Sequence, residues 1–223
     1  MAKAGLEPDS STTRPIFQYL TRNDHLPDKA WRALKSLHRE GHVVPAAAVN
    51  VVIEAKIKPG HFAKAVEFYK ELHTICEKGP NTETFNLLLQ GTASQSNKAM
   101  AMFFASEMRA LGIKADRLTY DRLILICLYH HDYEDAFRYL EEMKIAGADK
   151  VENGQKRWWM RGGTAALLIQ RCFEAKDPRG RDLLTELDRR GLDPGNLSEL
   201  MERYRRLEHA SEGMSKGSMH WAL

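Results

Sequence analysis

The sequence predicts an all-α solenoid, a stack of antiparallel helix pairs in which no pair buries its apolar faces alone. Two observations predict it, and a third bounds the answer without deciding it. The first is an internal repeat: at an offset of 35, Thr84-Phe85-Asn86 falls on Thr119-Tyr120-Asp121, Leu88-Leu89 on Leu123-Ile124, Glu107-Met108 on Glu142-Met143, and Gly112 on Gly147. The second is that the period runs outward, with Ala30, Ala65, Ala101 and Ala136 separated by 35, 36 and 35 positions. A fixed period of roughly 20 to 50 residues marks stacked repeats. The third is composition: 43% hydrophobic and 28% charged residues over 223 positions is ordinary for a globular chain.

Each unit reads as two helices. The expected pairs are 12–20 with 28–39, 47–57 with 61–73, 83–92 with 97–111, 118–130 with 132–146, and a degenerate 164–174 with 179–190. In the first pair, Pro27-Asp28 starts the second helix, Ala30, Trp31, Leu34 and Leu37 form its apolar stripe, and Gly41 with Pro45 stops it. Lys58-Pro59-Gly60 turns the second pair, and a few extra residues before Gly79-Pro80 form a loop insertion. The phase breaks at 150–163, a polar stretch centred on Lys156-Arg157-Trp158-Trp159. A terminal helix carrying Arg203, Arg205 and Arg206 is expected at 197–209. At the other end, Met1 to Asp9 has the spacing of Met108 to Asp116, so the chain is expected to begin mid-repeat. The expected organisation is therefore 1–9 as the tail of an incomplete repeat, 10–149 as four repeats, 150–194 as the insertion plus a degenerate fifth, and 195–223 as a closing helix and frayed tail.

Several function classes find no support. A net charge of +3 permits a nucleic-acid partner without arguing for one. No apolar run approaches the roughly 18 to 20 residues of a membrane span; the longest, 123–129, is far shorter. Cys76, Cys127 and Cys172 have neither zinc-ribbon spacing nor the density of a disulfide framework. The first residues resemble neither a signal peptide nor an Arg-rich presequence. His38 and His42 have helical i, i+4 spacing, but Gly41 ends that helix and no third ligand follows. No phosphate-cradling glycine loop, nucleophile elbow or carboxylate cluster appears. The expectation is a binding protein rather than an enzyme, with no metal and no cofactor.

The unit opens with Thr-Phe-Asn-x-Leu-Leu or Thr-Tyr-Asp-x-Leu-Ile, carries Ala in its middle, and closes with Glu-Met-x-x-x-Gly-x-x-x-Asp in the clearest case. This pattern resembles the pentatricopeptide repeat (PPR) family, and the wording of the middle units is similar to fungal mitochondrial members. The Trp-x-x-Leu-Gly signature of the tetratricopeptide repeat is absent from the first helices. The resemblance implies a right-handed α-solenoid of about four to five units that reads single-stranded RNA one base per repeat. It further implies that a polar residue on the first helix and the last residue of the unit share a groove and hydrogen-bond one base edge. The matching positions are Asn50 with Asn81, Asn86 with Asp116, and Asp121, whose candidate partner is Asp149. The first two pairs resemble pyrimidine readers, the second favouring uracil. Pro15 and Ala165 hold the first-helix position in the outer units and cannot read a base edge. The residue expected to wedge between bases is Ala47, Glu83 or Leu118, of which Glu83 repels phosphate.

Other chemistry fits some of the same residues. Asn81 and Asp116 stand just before helices, where Asn and Asp are favoured N-caps. Asn50 and Asn86 fall inside helices, where Asn is a poor former without a second role. Trp158 and Trp159, beside two cations, suit either base stacking or packing of the insertion against the solenoid. Two to four readable bases recur by chance every ~16 to ~256 nucleotides, too often to choose one transcript alone. The resemblance thus implies an RNA-binding adaptor in mitochondrial RNA metabolism acting in transcript stabilisation, processing or translation, with U- or pyrimidine-rich single-stranded RNA as partner. The alternative is a protein-interaction scaffold on a mitochondrial ribosome or RNA-processing complex. For RNA reading, Asn50, Asn86 and Asp121 are expected to stand open in a row along one inner surface.

Overall fold

The computed structural model describes residues 10–147 and 158–191, with positions 199, 202 and 206. Across them run α1 (Ser10–Leu20), α2 (Leu26–Arg39), α3 (Ala46–Ile57), α4 (Phe62–Leu72), α5 (Thr82–Ser94), α6 (Lys98–Ala110), α7 (Arg117–Tyr129), α8 (Tyr133–Ala146), α9 (Gly162–Ala175) and α10 (Arg179–Arg189), and no strand among the described residues. Every helix expected between residues 12 and 190 has its counterpart within two residues of the expected ends. The incomplete unit at 1–9, Asp149, and most of the terminal helix lie outside the described residues. The chain divides into two units, Met1–Ala136 and Phe137–Leu223, the division falling inside α8.

In the first unit, α1, α3, α5 and α7 pack each on the next, and α2, α4 and α6 each pack against the first helix of the following pair. A helix enclosed on several sides must be apolar nearly all round, whereas a flanking helix needs only one stripe. The side chains follow that division. Val49, Val51, Val52, Ile53, Ala55 and Ile57 are all buried on α3, and Phe85, Leu87, Leu88 and Leu89 on α5. By contrast α4 buries the single stripe Phe62, Ala65, Phe68, Tyr69 and Leu72. The periodic alanines Ala65, Ala101 and Ala136 are wholly enclosed, so helices approach closely where they stand. Leu37 departs from its expected stripe and is 42% exposed, Trp31 carrying the buried contact of α2 instead.

Aromatic and polar side chains tie each second helix to the next. Trp31 of α2 stacks on Phe68 of α4 at 4.4 Å, and its Nε1 donates to Glu71 Oε2 at 2.9 Å. Tyr69 of α4 meets Phe104 of α6 edge-on at 5.6 Å. Burial, helped by Glu107, pushes the Tyr69 phenol above its usual range. Lys98 of α6 reaches both Asp132 and Asp135 at the start of α8. Lys56 of α3 is buried and donates to Asp24 O at 2.7 Å and Asp28 Oδ2 at 2.8 Å.

The repeating glycine at the unit's end has two physical reasons. At Gly112 the backbone turns left-handed, with φ of 66°, and Ile113 N–H reaches back to Met108 O at 3.0 Å, closing the helix on its own carbonyls. Gly147, its counterpart in the second unit, instead gives up space: a Cβ there would lie 1.8 Å from the Trp158 ring. Gly112→Ala is expected to cost about 1–2 kcal/mol through the left-handed backbone, with tryptophan emission unchanged in the native baseline. Gly147→Ala is expected to expel the indole, cost about 1–3 kcal/mol by overpacking, and shift the native emission; urea unfolding followed by fluorescence reads both.

Candidate nucleic-acid interface

The residues singled out in the sequence meet in pairs at the junctions between successive first helices. At the α3–α5 junction, Asn50 Nδ2 donates to Asn81 Oδ1 at 3.1 Å and to Glu83 Oε2 at 3.1 Å. The carbonyl of the same amide, Asn50 Oδ1, accepts from Thr84 Oγ1 at 2.7 Å. At the α5–α7 junction, Asn86 Nδ2 donates to Asp116 Oδ1 and Oδ2 at 3.1 and 3.2 Å, and Asn86 Oδ1 accepts from Thr119 Oγ1 at 2.9 Å. The design is one repeated triad: an amide from one unit, the residue that closes that unit, and a threonine from the next.

Local structure explains why the groups converge. Asn81 and Asp116 sit in extended backbone one residue before α5 and α7, and each accepts from the N–H of the threonine three residues on, at 3.0 and 2.8 Å. Each threonine hydroxyl accepts in turn from the backbone N–H of the cap, completing a capping box. Capping and pairing with the first-helix asparagine are therefore not competing roles. One oxygen performs both, because a carbonyl or carboxylate oxygen has two lone pairs to fill.

Burial corrects the open row expected from the sequence. Asn50, Asn86 and Asp121 do lie on consecutive first helices, but they are only 1%, 5% and 1% exposed. For Asn50 and Asn86 the physical reason is the unit that follows, whose cap and threonine cover the first-helix side chain. Asn81 and Glu83 are exposed and Asp116 is half-buried, so the accessible part of each network is its outer rim. Thr84 and Thr119 belong to the networks although sequence reasoning assigned them no part; their recurrence at an offset of 35 is the signal that could have found them. Glu83, expected at the wedge position and there to repel phosphate, also accepts a hydrogen bond from Asn50.

Charge is distributed unevenly along this face. Burial raises the Asp116 carboxyl, but the Thr119 N–H and the Asn86 amide lower it further, and the net pKa lies below the ordinary range. Glu54, one turn after Asn50, is shifted upward by burial and by Glu83, against the pull of Lys58 and Arg122. Arg122 of α7 donates to the Asn86 carbonyl and, at 2.9 Å, to Gln90 Oε1 on α5.

The tryptophan pair lies in the second unit and is engaged in packing. Trp158 Nε1 donates to Met143 O at 2.8 Å, its ring filling the space left by Gly147. Trp159 is 1% exposed, with the Arg190 guanidinium 4.4 Å above its ring. Of the closing-helix arginines, Arg206 pairs with Glu202, and Arg203 and Arg205 lie outside the described residues.

Two family models match the chain: one described as pentatricopeptide repeat-containing protein over residues 1–72, the other as pentatricopeptide repeat domain over residues 103–148. This chain belongs to the pentatricopeptide repeat family. It is similar to fungal mitochondrial members: the mitochondrial 15S rRNA processing factor CCM1 of Meyerozyma guilliermondii is 24% identical over 149 residues, 64% of this chain. The chain spans only 23% of that relative's length. Among solved structures, the PPR domain of Arabidopsis thaliana protein-only RNase P 1 in complex with tRNA matches 86% of this chain and 96% of that one, with a TM-score of 0.64 and 14% identity. Maize PPR10 in complex with an 18-nt psaJ RNA element matches 89% of this chain and 28% of its own, with a TM-score of 0.56 and 21% identity. At these identities the structural likeness shows the fold, an α-helical repeat solenoid.

Two outcomes are expected from the PPR triads. Thr84→Val and Thr119→Val each remove a hydroxyl while leaving buried amide groups unsatisfied, at a cost of about 1–3 kcal/mol in chemical denaturation. The lowered pKa of Asp116 means that its stabilisation is full above the ordinary carboxyl range and is lost as pH falls through the folded value. The acid limb of the stability curve is therefore expected to flatten below about pH 4 in Asp116→Asn; an unchanged limb would show that the carboxylate does not contribute.

Proposed function

We propose that this PPR chain is a single-stranded RNA-binding adaptor in mitochondrial RNA metabolism, its base contact made at the α5–α7 junction. The observation that carries this reading is the Asn86–Asp116 pair. The carboxylate is half-buried at the rim; the Thr119 and Leu118 N–H groups and the Asn86 amide fill about three of its roughly four acceptor sites, so it retains room for one further donor. A carboxylate accepts and cannot donate. It therefore suits a base that presents a ring N–H on its Watson–Crick edge, as uracil does, and opposes one that presents a bare ring nitrogen, as cytosine does. Arg122 adds a cation on the same face, where a phosphate would pass. The names of the similar proteins, an rRNA processing factor and PPR structures solved with RNA, support the same direction. The work of such an adaptor is stabilisation, processing or translation of a transcript, through binding rather than catalysis. Mitochondrial residence is inferred from the fungal relative.

In the same reading Asn50 with Asn81, and Asp121, take lesser parts, since their first-helix members are more deeply covered. A second reading, a protein-interaction scaffold in a ribosomal or RNA-processing assembly, is favoured by one observation. On the second-helix side, a cleft of about 500 Å³ lies among Val66, Tyr69, Pro80 and Met100, with Phe103 and Leu111 at 55% and 53% exposure.

Fluorescence anisotropy with labelled oligonucleotides separates the two. RNA binding predicts affinity for U-rich strands that falls steeply with salt, is weakened by Asn86→Ala, and is unaffected by Phe103→Ser. Asp116→Asn, which introduces a donor, is expected to erode preference for uracil over cytosine by about 1–3 kcal/mol. Absence of oligonucleotide binding at low salt by the folded chain would overturn the reading.

A further inference from the structure

The two triads of the first unit are copies of one arrangement that differ at the cap, Asn81 against Asp116, and in one outer side chain. The position 35 residues after Glu83 is Leu118, which has no polar atom to offer. At the α3–α5 junction Glu83 reaches from the first turn of α5 to α3, and its Oε2 takes one Asn50 N–H while Asn81 takes the other, both at 3.1 Å. Thr84 occupies the Asn50 carbonyl at 2.7 Å. A primary amide has two N–H donors, so both of this one's are engaged, and its carbonyl is occupied as well. Glu83 is exposed where Asn50 is buried, which makes its carboxylate the outermost member of the network. At the α5–α7 junction both Asn86 contacts go to the single carboxylate of Asp116, and an apolar leucine holds the position that Glu83 holds at the other.

Charge reaches both junctions. Glu54 adds a second carboxylate near Glu83, partly offset by Lys58 and Arg122, and Arg122 donates directly to the Asn86 carbonyl. A carboxylate oxygen on an amide N–H fills the place that a pyrimidine carbonyl would take, and its charge opposes an approaching phosphate.

We propose that Glu83 is a specificity-determining residue that closes the α3–α5 junction to nucleotides, so that a strand is read at α5–α7 and passes unread over the junction before it. This rests on the RNA-binding reading above and adds to it which of two matching sites is active. A leucine at this position, copying Leu118, would open the amide; a glutamine would remove the charge while keeping an acceptor.

The test uses the full chain and labelled U-rich single strands of decreasing length. Glu83→Leu is expected to tighten binding by about three- to tenfold, the worth of one freed hydrogen bond, and to make binding sensitive to the base at one further nucleotide position. Glu83→Gln is expected to tighten binding less and to leave that position unread. In parallel, the Asn50 side-chain amide protons, followed by NMR without RNA, are expected to exchange faster in Glu83→Leu, with circular dichroism confirming the fold. If the wild-type chain binds RNA and Glu83→Leu neither tightens binding nor adds a read position, the proposal falls and the RNA reading stands. If no variant binds any oligonucleotide, both fall. Unchanged Asn50 exchange would overturn the closure itself, whatever the RNA result.

Discussion

The hydrogen bond from a first-helix asparagine to the cap of the next first helix is the constraint on which the stack's register depends. Asn50 reaches 31 residues forward and Asn86 30, in each case across one whole helix pair. The bond therefore measures the unit. The extra residue of the earlier pair is taken up in the loop before Gly79-Pro80, and the triad closes with the same partners on either side of that difference. Apolar burial alone would not do this, since α3 and α5 are apolar nearly all round and could rotate or slide with little change in buried area. A buried amide tolerates no such slip, because losing its partners costs the full desolvation of each group.

This arrangement sets a tension between architecture and recognition. The atoms that would meet a base edge are the atoms that hold successive units together, and the first-helix amides are already engaged. A base docking at Asp116 exploits the carboxylate's remaining lone pairs and leaves the Asn86 bond in place. One docking at Asn50 would have to displace a charged side chain. The two junctions thus lie at different points between a structural joint and a reading site, although the same asparagine and threonine recur in both.

Much of this is legible in the amino-acid sequence. The helices, their order and the enclosed alanines follow from periodicity, since a repeat that must stack writes the same apolar spacing into each copy. The pairing of Asn50 with Asn81 and of Asn86 with Asp116 is legible too, through resemblance to the PPR pattern. What the residues do not convey is exposure, because an asparagine on a helix carries no mark of whether the next unit's cap lies over it. Thr84 and Thr119 are visible as part of a helix-opening signature, but a hydroxyl's partner three residues away and its partner in the preceding unit are indistinguishable in one dimension. The Trp158 placement depends on a space at Gly147, and an isolated glycine reads as a turn sooner than as a gap for a ring.

The buried thiols carry a practical consequence. Burial pushes the Cys172 thiol up to about 12 and raises Cys76 as well, so neither supplies the thiolate that alkylating reagents attack. One lies in each of the two units of the chain. Modification at either sulfur thus requires that its own surroundings open first, which makes the pair a built-in clock for local unfolding. Followed residue by residue by mass spectrometry, the two labelling rates tell whether the halves of the solenoid come apart together or one before the other.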